Sequence, residues 1–570
     1  MGTAGNRKGY KVFSINTTIR NPKRNRDFLT VFAPFNGKIF DKQTSYNYLY
    51  ELIKQGIYQV SDIPIEVRQK WDNDLELTPQ EIHQAIADNP QACGLYGRVM
   101  TQLRTIKDQG FLMFIPYKRG ANKIVLTSLG QDIIDNVKDP TIAYTKAMLG
   151  LHAFSPARTT QFNKSRPFLN TLFVIEEVNK RWEALGNTPK GILMHEFATF
   201  VLSMKDCDYK SAATDIINYR LKYGVNINLD YINEYIASKD LLPVQNDTLL
   251  EAYPDDVFRK FEMTGLLTKH GAYQYIYINF SSYNYPKVQE ILKAYKGYKW
   301  EQFTSVSDYY AYLENQCIPW ENNEFIRRKV IEEKAKVLNM NLGDDKTLEQ
   351  KEELLDRIFY TSALQKAVNK YDYSCIGKEL LILAKGKKST SELENISEPL
   401  RLEYLLALYF GKRYGLDGLI SNIIYNEEGL PLHCATGGKS DIIFHSNDGS
   451  YILEPTMLTS KSQQVNNETT NIVRHVQNEE SKSNLHYRVM MIAPRVHEDV
   501  ARYFKFEAME DEAKITPLTI ERTIGLFQDS KTLQELGINY DIILNLLVTQ
   551  KVQIYTDSVN SYRVEEPSLF

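Results

Sequence analysis

Residues 431–475, PLHCATGGKSDIIFHSNDGSYILEPTMLTSKSQQVNNETTNIVRH, constrain this chain more than any other stretch. Ile442-Ile443-Phe444 and Tyr451-Ile452-Leu453 are short β-branched or aromatic runs. The turn signal Asn447-Asp448-Gly449 lies between them, so the spacing predicts a hairpin. A hairpin of that length brings Asp441, at the start of one strand, beside Glu454, at the end of the other. Two carboxylates held together repel unless a cation lies between them, and hard oxygen ligands suit Mg²⁺. Residues 467–481 can form a helix with Glu468 in its first turn. The set points to a metal site for phosphoryl chemistry. Acidic residues also collect at strand ends simply because water is there, and spacing alone does not separate the two readings.

The segment from Glu403 onward resembles the AlwI family of type IIS restriction endonucleases, which includes related site-specific nicking enzymes. The matching features run in order: Glu403 on a helix, Pro431 with the small residues 435–438, Asp441, Glu454-Pro455-Thr456, Glu468 and Arg474-His475. The resemblance implies a nuclease domain that is a variant of the PD-(D/E)xK fold. It also implies Asp441, Glu454, Glu468 and Glu403 as the catalytic cluster, with products carrying a 5′-phosphate and a 3′-hydroxyl. Ser440 stands where the superfamily signature has proline, at a position that supplies no ligand. Pro455 lacks an N–H, so the strand is expected to bend there or lie at an edge. Thr456 falls on the same face as Glu454, where most of the superfamily places lysine. The family lacks that lysine too, which leaves the general base unassigned. His433, His445 and His475 show no metal-binding spacing and are read as polar side chains without a chemical role.

A net charge of −3 means that a nucleic-acid binder must concentrate its basic residues locally. Residues 1–26 do so, with Arg7, Lys8, Lys11, Arg20, Lys23, Arg24 and Arg26 and no acidic residue. Such a stretch is either a solvated tail or an arm on DNA phosphates. The string Arg20-Asn21-Pro22-Lys23-Arg24 resembles an opening found in the same family. The five cysteines are widely spaced without a C-x-x-C pair, so reduced thiols are expected. No apolar stretch is long enough to cross a bilayer, and the basic N-terminus lacks a signal-peptide core, so a cytoplasmic protein is expected.

Helices are expected at 42–57 and 78–88. From Gly94, Leu95, Val99, Leu103 and Ile106 recur at helical spacing, with Arg98, Thr101 and Thr105 on the opposite face, and Gly110 ends the helix. Residues 111–117 and 123–127 then read as strands around the basic turn 118–122, and a new helix starts at Ser128. That is a winged-helix pattern, whose recognition helix enters a major groove and whose wing meets the backbone. Winged helices also bind proteins; the basic tip favours DNA. Arg20, Lys23, Arg24, Arg98, Thr101, Arg104, Lys118 and Arg119 are the candidate DNA-binding residues. Helices at 169–184, 191–204 and 209–222 follow. A helix at 257–265, a strand at 266–268, a turn at 269–272 and a strand at 273–278 then repeat the pattern.

The expected architecture is a multidomain α+β chain in three parts. Residues 1–282 form winged-helix-like DNA-recognition modules, 283–384 a helical linker, and 385–570 a PD-(D/E)xK-type α/β nuclease domain of order αβββαβ. One strand of that order has no clear signal. Helix-start chemistry lies at 389–393, a helix with Glu403 at 402–413, a buried strand at 487–493, and a strand and helix at 517–528. The expected function is Mg²⁺-dependent cleavage of double-stranded DNA at a fixed distance from a short asymmetric site. A transient homodimer or partner subunit would supply the second cut. The alternatives are a strand-specific nicking enzyme and a winged-helix DNA-binding regulator with an inactive nuclease-like domain.

Overall fold

The computed structural model describes residues 10–564 apart from 16–17, 20, 59–63, 65–66, 68–69, 71–76, 90–94, 137–138, 159–161, 271–275, 344, 388, 390–392, 394–395, 434–438, 460–463 and 511–512. The chain is mixed α+β, and its contacts divide it into two units: Met1–Leu52 with Gln91–Leu355, and Ile53–Pro90 with Asp356–Phe570. The division falls inside the helix Leu348–Lys370, within the stretch expected as a separate linker. The first part of that stretch packs on the first unit. Glu314 accepts from the Ser128 N–H at 2.9 Å, Glu321 pairs with Lys146 at 3.0 Å, and the Trp300 indole donates to the Phe154 carbonyl at 2.8 Å. Among the described residues no helix is long and apolar enough to cross a membrane.

The first unit contains two three-stranded antiparallel sheets of the same connectivity. In the first, the helix Asn25–Phe32 leads to β1 (Ile39–Phe40) and the helix Lys42–Lys54. The helix Leu95–Asp108 then leads to β2 (Leu112–Pro116) and β3 (Asn122–Leu126), and the strand order is β1-β3-β2. Val99, Leu103 and Ile106 are fully buried, as the spacing requires. Thr105 is buried as well, not on the exposed face. Its hydroxyl is satisfied by the Thr101 carbonyl one turn back, which lets a threonine sit in the core. Gly110, at φ +94, provides the left-handed exit from this helix into β2.

In the second sheet, the helix Pro167–Ala184 leads to β4 (Ile192–Leu193) and a helical segment from Met194. After the helices Tyr209–Tyr223, Leu229–Ser238 and Tyr253–Glu262 come β5 (Leu267–His270) and β6 (Tyr277–Phe280), in the order β4-β6-β5. The expected helix at 191–204 therefore begins as a strand. Gly191 is the reason: at φ +81, a Cβ there would meet the Ile278 carbonyl oxygen at 2.0 Å, so only glycine lets the backbones close up for β4 to pair with β6. The turn expected at 269–272 and the start of the strand expected at 273 lie partly outside the described residues; among the described ones, the ladder with β5 begins at Tyr277.

A buried ion pair ties this sheet to its helices. Arg220 donates to both carboxylate oxygens of Glu196 at 2.7 and 2.6 Å and to the Gly191 carbonyl at 2.8 Å. Glu196 in turn accepts from the Leu193 N–H at 2.8 Å.

The second unit is built on a five-stranded sheet of order β13-β12-β11-β10-β7. Its strands are β7 (Leu419–Ser421), β10 (Ile442–Ser446), β11 (Gly449–Pro455), β12 (Arg488–Ala493) and β13 (Ile515–Thr519). A small separate ladder pairs β8 (Ile424–Tyr425) with β9 (Pro431–His433). β10 is antiparallel to both neighbours, whereas β11, β12 and β13 run parallel. Val489–Ala493 are completely buried, as a central parallel strand covered on both faces must be. The helix Glu398–Tyr414 covers one face, with the Phe410 ring 5.1 Å from Phe444 and 5.6 Å from Phe527. This helix starts before the expected 402; Ser389 donates to Glu379 at 2.9 Å, and most of the stretch after it, where helix-start chemistry was expected, lies outside the described residues. The strand without a sequence signal is β7, three residues between Gly418 and Asn422.

Removing one partner of a buried ion pair leaves an uncompensated charge. Arg220→Met is expected to destabilise the first unit by about 3 kcal/mol. Denaturant unfolding followed by tryptophan fluorescence checks this, because the guanidinium lies 5.2 Å from the Trp182 ring.

Candidate active site

The hairpin forms in the register its spacing dictates. Ile442 faces Leu453 and Ser446 faces Gly449, which leaves Asn447-Asp448 as the connection. Asp441 precedes Ile442 and Glu454 follows Leu453, so the two residues leave the ladder opposite one another and on the same face. Each is held by a further strand. Ser421 of β7 faces Ile442, and the Asn422 N–H donates to the Asp441 carbonyl at 3.0 Å while its side-chain amide donates to the Ser440 carbonyl. Glu454 faces Met491 of β12.

Glu454 is only 5% exposed, and among the described residues its Oε1 accepts no hydrogen bond. Leaving a buried carboxylate oxygen unsatisfied costs on the order of 1–3 kcal/mol, so such a group marks a place where a ligand belongs. His475, on the helix Thr470–Ser483, places Nδ1 3.5 Å from that oxygen. The sequence had given His475 no role. The signal that could have found it is its place next to Arg474, in the pair that stands among the features matched to the family.

Glu403 is buried on the helix Glu398–Tyr414. Burial pushes the Tyr425 phenol up, and the Glu403 charge adds to this. The same phenol shares a hydrogen bond with Ser421, the residue facing Ile442. Glu468 lies in a π-helical turn, Gln464–Thr469, that runs straight into the Thr470 helix; its side chain is outside the described residues, as are 434–438. Gln464 anchors this turn by donating to the Leu458 and Arg495 carbonyls at 2.6 and 2.7 Å.

Pro455 lies where β11 has lost its β10 neighbour, a local edge of the kind expected for a residue without an N–H. It is the last residue of a central strand, beyond the Leu453–Ile442 pair where β10 ends. Thr456 N–H bonds the Ile492 carbonyl of β12 at 2.8 Å, so by alternation the missing N–H of Pro455 points to the side β10 has vacated. The Thr456 hydroxyl accepts from the Leu458 N–H at 3.1 Å, the work of a turn residue.

Among the described residues no group of three or more His, Cys, Asp or Glu is gathered closely enough to enclose a metal ion. The donor set nevertheless fits Mg²⁺, which is commonly held by one or two carboxylates and completed by water and phosphate oxygens. Asp441 and Glu454 are hard oxygen donors side by side, and Glu454 Oε1 has the open valence that a cation would fill.

The candidate DNA-binding residues are placed unevenly. Arg98, Arg104 and Lys118 are exposed. Thr101 is half-buried, its hydroxyl donating to the Gly97 carbonyl at 2.7 Å. Arg119 lies in the turn Lys118–Gly120, with its side chain outside the described residues, and Arg20 lies wholly outside them. Arg24 is half-buried over the Phe28 ring at 5.4 Å. Lys23 is drawn into the protein near Glu262 and Arg259, where burial pushes its ammonium down to about 8.

A family model described as AlwI restriction endonuclease matches residues 110–526. No curated protein matches the chain. Among solved structures, the chain is similar to the small subunit of the heterodimeric restriction endonuclease R.BspD6I. The identity is 18% over 32% of this chain and 94% of that one, with a TM-score of 0.27. It is also similar to restriction endonuclease FokI, at 12% identity over 97% and 99% of the two chains with a TM-score of 0.23. FokI bound to DNA matches at 11% over 98% and 99%, with a TM-score of 0.20.

Two neighbouring carboxylates without a cation store repulsion. Asp441→Asn or Glu454→Gln is expected to raise the metal-free thermal stability, since either removes one of the two like charges. The same variants should lose the stabilisation that saturating Mg²⁺ gives the unaltered protein, about 2.7 kcal/mol at a hundredfold excess over Kd. Thermal denaturation with and without Mg²⁺ measures both.

Proposed function

The chain belongs to the AlwI restriction endonuclease family, and from that premise we propose that it is a type IIS enzyme. It hydrolyses one phosphodiester of duplex DNA at a fixed distance outside a short asymmetric site. The observation that carries this reading is the hairpin that sets Asp441 opposite Glu454 while Glu454 Oε1 stays buried without a donor. Asp441 and Glu454 would hold Mg²⁺, which supplies polarisation of the scissile phosphate and a lowered pKa for the attacking water. Glu403 and Glu468 complete the acidic wall around the reacting phosphate. The sheet fixes the two principal carboxylates on neighbouring strands, so their separation does not change as charge develops. His475 stands against Glu454 and can take or give a proton at Nδ1, the part for which Thr456 offers no lysine. We read the second-unit sheet as the PD-(D/E)xK core, with 385–570 as the nuclease domain and 283–384 as the helical connection to it.

We assign recognition to residues 1–282. Both three-stranded sheets there place the first short strand against the last, with a helix leading into the final hairpin, which supports a winged-helix reading for each. In that reading Leu95–Asp108 enters the major groove with Arg98, Thr101 and Arg104, while Lys118 and Arg119 meet phosphates. One active site cuts one strand, so cleavage of both strands needs a second copy or a partner subunit.

Asp441→Ala and Glu454→Ala are expected to lower the cleavage rate on the order of 10³-fold, ~4 kcal/mol of transition-state stabilisation, and to leave DNA binding nearly intact. Plasmid cleavage in Mg²⁺ and duplex binding in Ca²⁺ measure the two separately, because Ca²⁺ occupies oxygen sites with looser geometry. Folded variants that still cut would remove the hairpin from the chemistry. Arg98→Ala is expected to weaken binding by ~1–3 kcal/mol and to relax selectivity at one base pair, read by competition among duplexes.

A further inference from the structure

Arg166, just before the helix Pro167–Ala184, is 3% exposed and lines a cleft of about 410 Å³ in the first unit. Tyrosine rings wall its guanidinium: Tyr295, Tyr298 and Tyr312 have centroids 5.8, 6.0 and 5.8 Å away. One terminal nitrogen donates to the Leu149 carbonyl at 2.7 Å and, at 3.5 Å, to Gln316. The other lies 3.5 Å from Glu301, a half-exposed carboxylate that also accepts from the Tyr312 hydroxyl at 2.9 Å. Among the described residues the Arg166 Nε has no partner.

Arg220 in the same unit shows what a structural buried arginine looks like here. It is matched by two short bonds to a wholly buried glutamate. Arg166 has a long contact to a carboxylate that water already screens. A buried guanidinium of that kind retains strong attraction for an anion, since its desolvation has not been offset by a close counter-charge. Its field is felt nearby: burial first, then Arg166, pushes the neighbouring His152 down to about 3. Lys296 and Lys299 stand exposed on the cleft rim, on either side of Gly297. The lining thus carries three cationic side chains against one acidic one, Glu301.

We propose that this cleft seats a backbone phosphate of the DNA duplex, with Arg166 as its floor and Lys296 and Lys299 as its rim. The proposal rests on the endonuclease reading and adds a contact outside both three-stranded sheets. Arg166, fixed by three aromatic walls, supplies a positive charge beneath the phosphate, and the rim lysines act as point charges that reach it. Such a contact sets the protein's register on the duplex without reading sequence.

The test is the salt dependence of binding by the full chain to a short mixed-sequence duplex in EDTA, followed by fluorescence anisotropy. Each neutralised phosphate contributes about 0.9 to the slope of log K against log salt. Lys296→Ala with Lys299→Ala, both exposed and harmless to folding, should flatten that slope by one to two such steps. Arg166→Lys, checked for folding by circular dichroism, should weaken binding severalfold at every salt concentration with the slope kept. Lys180→Ala with Lys190→Ala, exposed elsewhere on the unit, serves as the charge-matched control. An unchanged slope in the Lys296/Lys299 variant, or an equal change in the control, overturns the cleft assignment while leaving the endonuclease reading in place. Failure of the unaltered protein to bind duplex DNA under any of these conditions overturns that reading and the cleft with it.

Discussion

The register between β10 and β11 is the constraint on which the second unit depends. Once Ile442 faces Leu453, the positions of Asp441 and Glu454 follow without further choice. A slip of one residue would turn every side chain of a strand to the other face, moving Glu454 away from Asp441 and undoing the packing on both buried faces. The burial of Ile442, Phe444, Tyr451, Ile452 and Leu453 therefore enforces the geometry of the carboxylates. The core selects the register, and the register builds the site.

That site is kept polar by its position at the end of the ladder. Inside the hairpin the side chains meet Phe410 and its neighbours, and a carboxylate there would be intolerable. One residue beyond the last pair, β10 has ended, and its side of β11 is left to Pro455, which needs no partner for an N–H. The place where strand pairing stops is thus where the two acidic residues stand, Asp441 just before the last pair and Glu454 just after it. His475 and Gln464 belong to the same logic. The π-helical turn and the helix after it are tethered by Gln464, and they bring an imidazole to the carboxylate from the far side.

The first unit uses different means. Its two sheets each depend on a two-residue strand, β1 and β4, that pairs with the last strand of its set. A strand that short is not stable alone; tertiary contacts make it, and in the second sheet the Arg220–Glu196–Leu193 network supplies them. Arg220 and Arg166, both buried in this unit, divide the labour. Arg220 spends its charge on the fold, whereas Arg166 keeps much of its charge directed at a cleft.

Local sequence determined the hairpin, because strand alternation and a turn signal act over a few residues and do not depend on the rest of the chain. It also determined the buried strand β12, whose run of apolar residues has no exposed face, and the helix from Leu95 to Asp108, whose core face repeats at 3.6. Tertiary structure decided the rest. β7 is three residues long and β4 two, too short to carry a period, and each exists because a longer strand pairs with it. Thr105 is buried because its hydroxyl finds a carbonyl one turn back, which polarity alone does not reveal. Lys23 stands in a basic run that sequence reads as one surface, yet packing near Glu262 draws it inward. The pairing of His475 with Glu454 and the isolation of Arg166 join residues far apart in the chain, and no local pattern encodes a contact whose partners meet only after the core has closed.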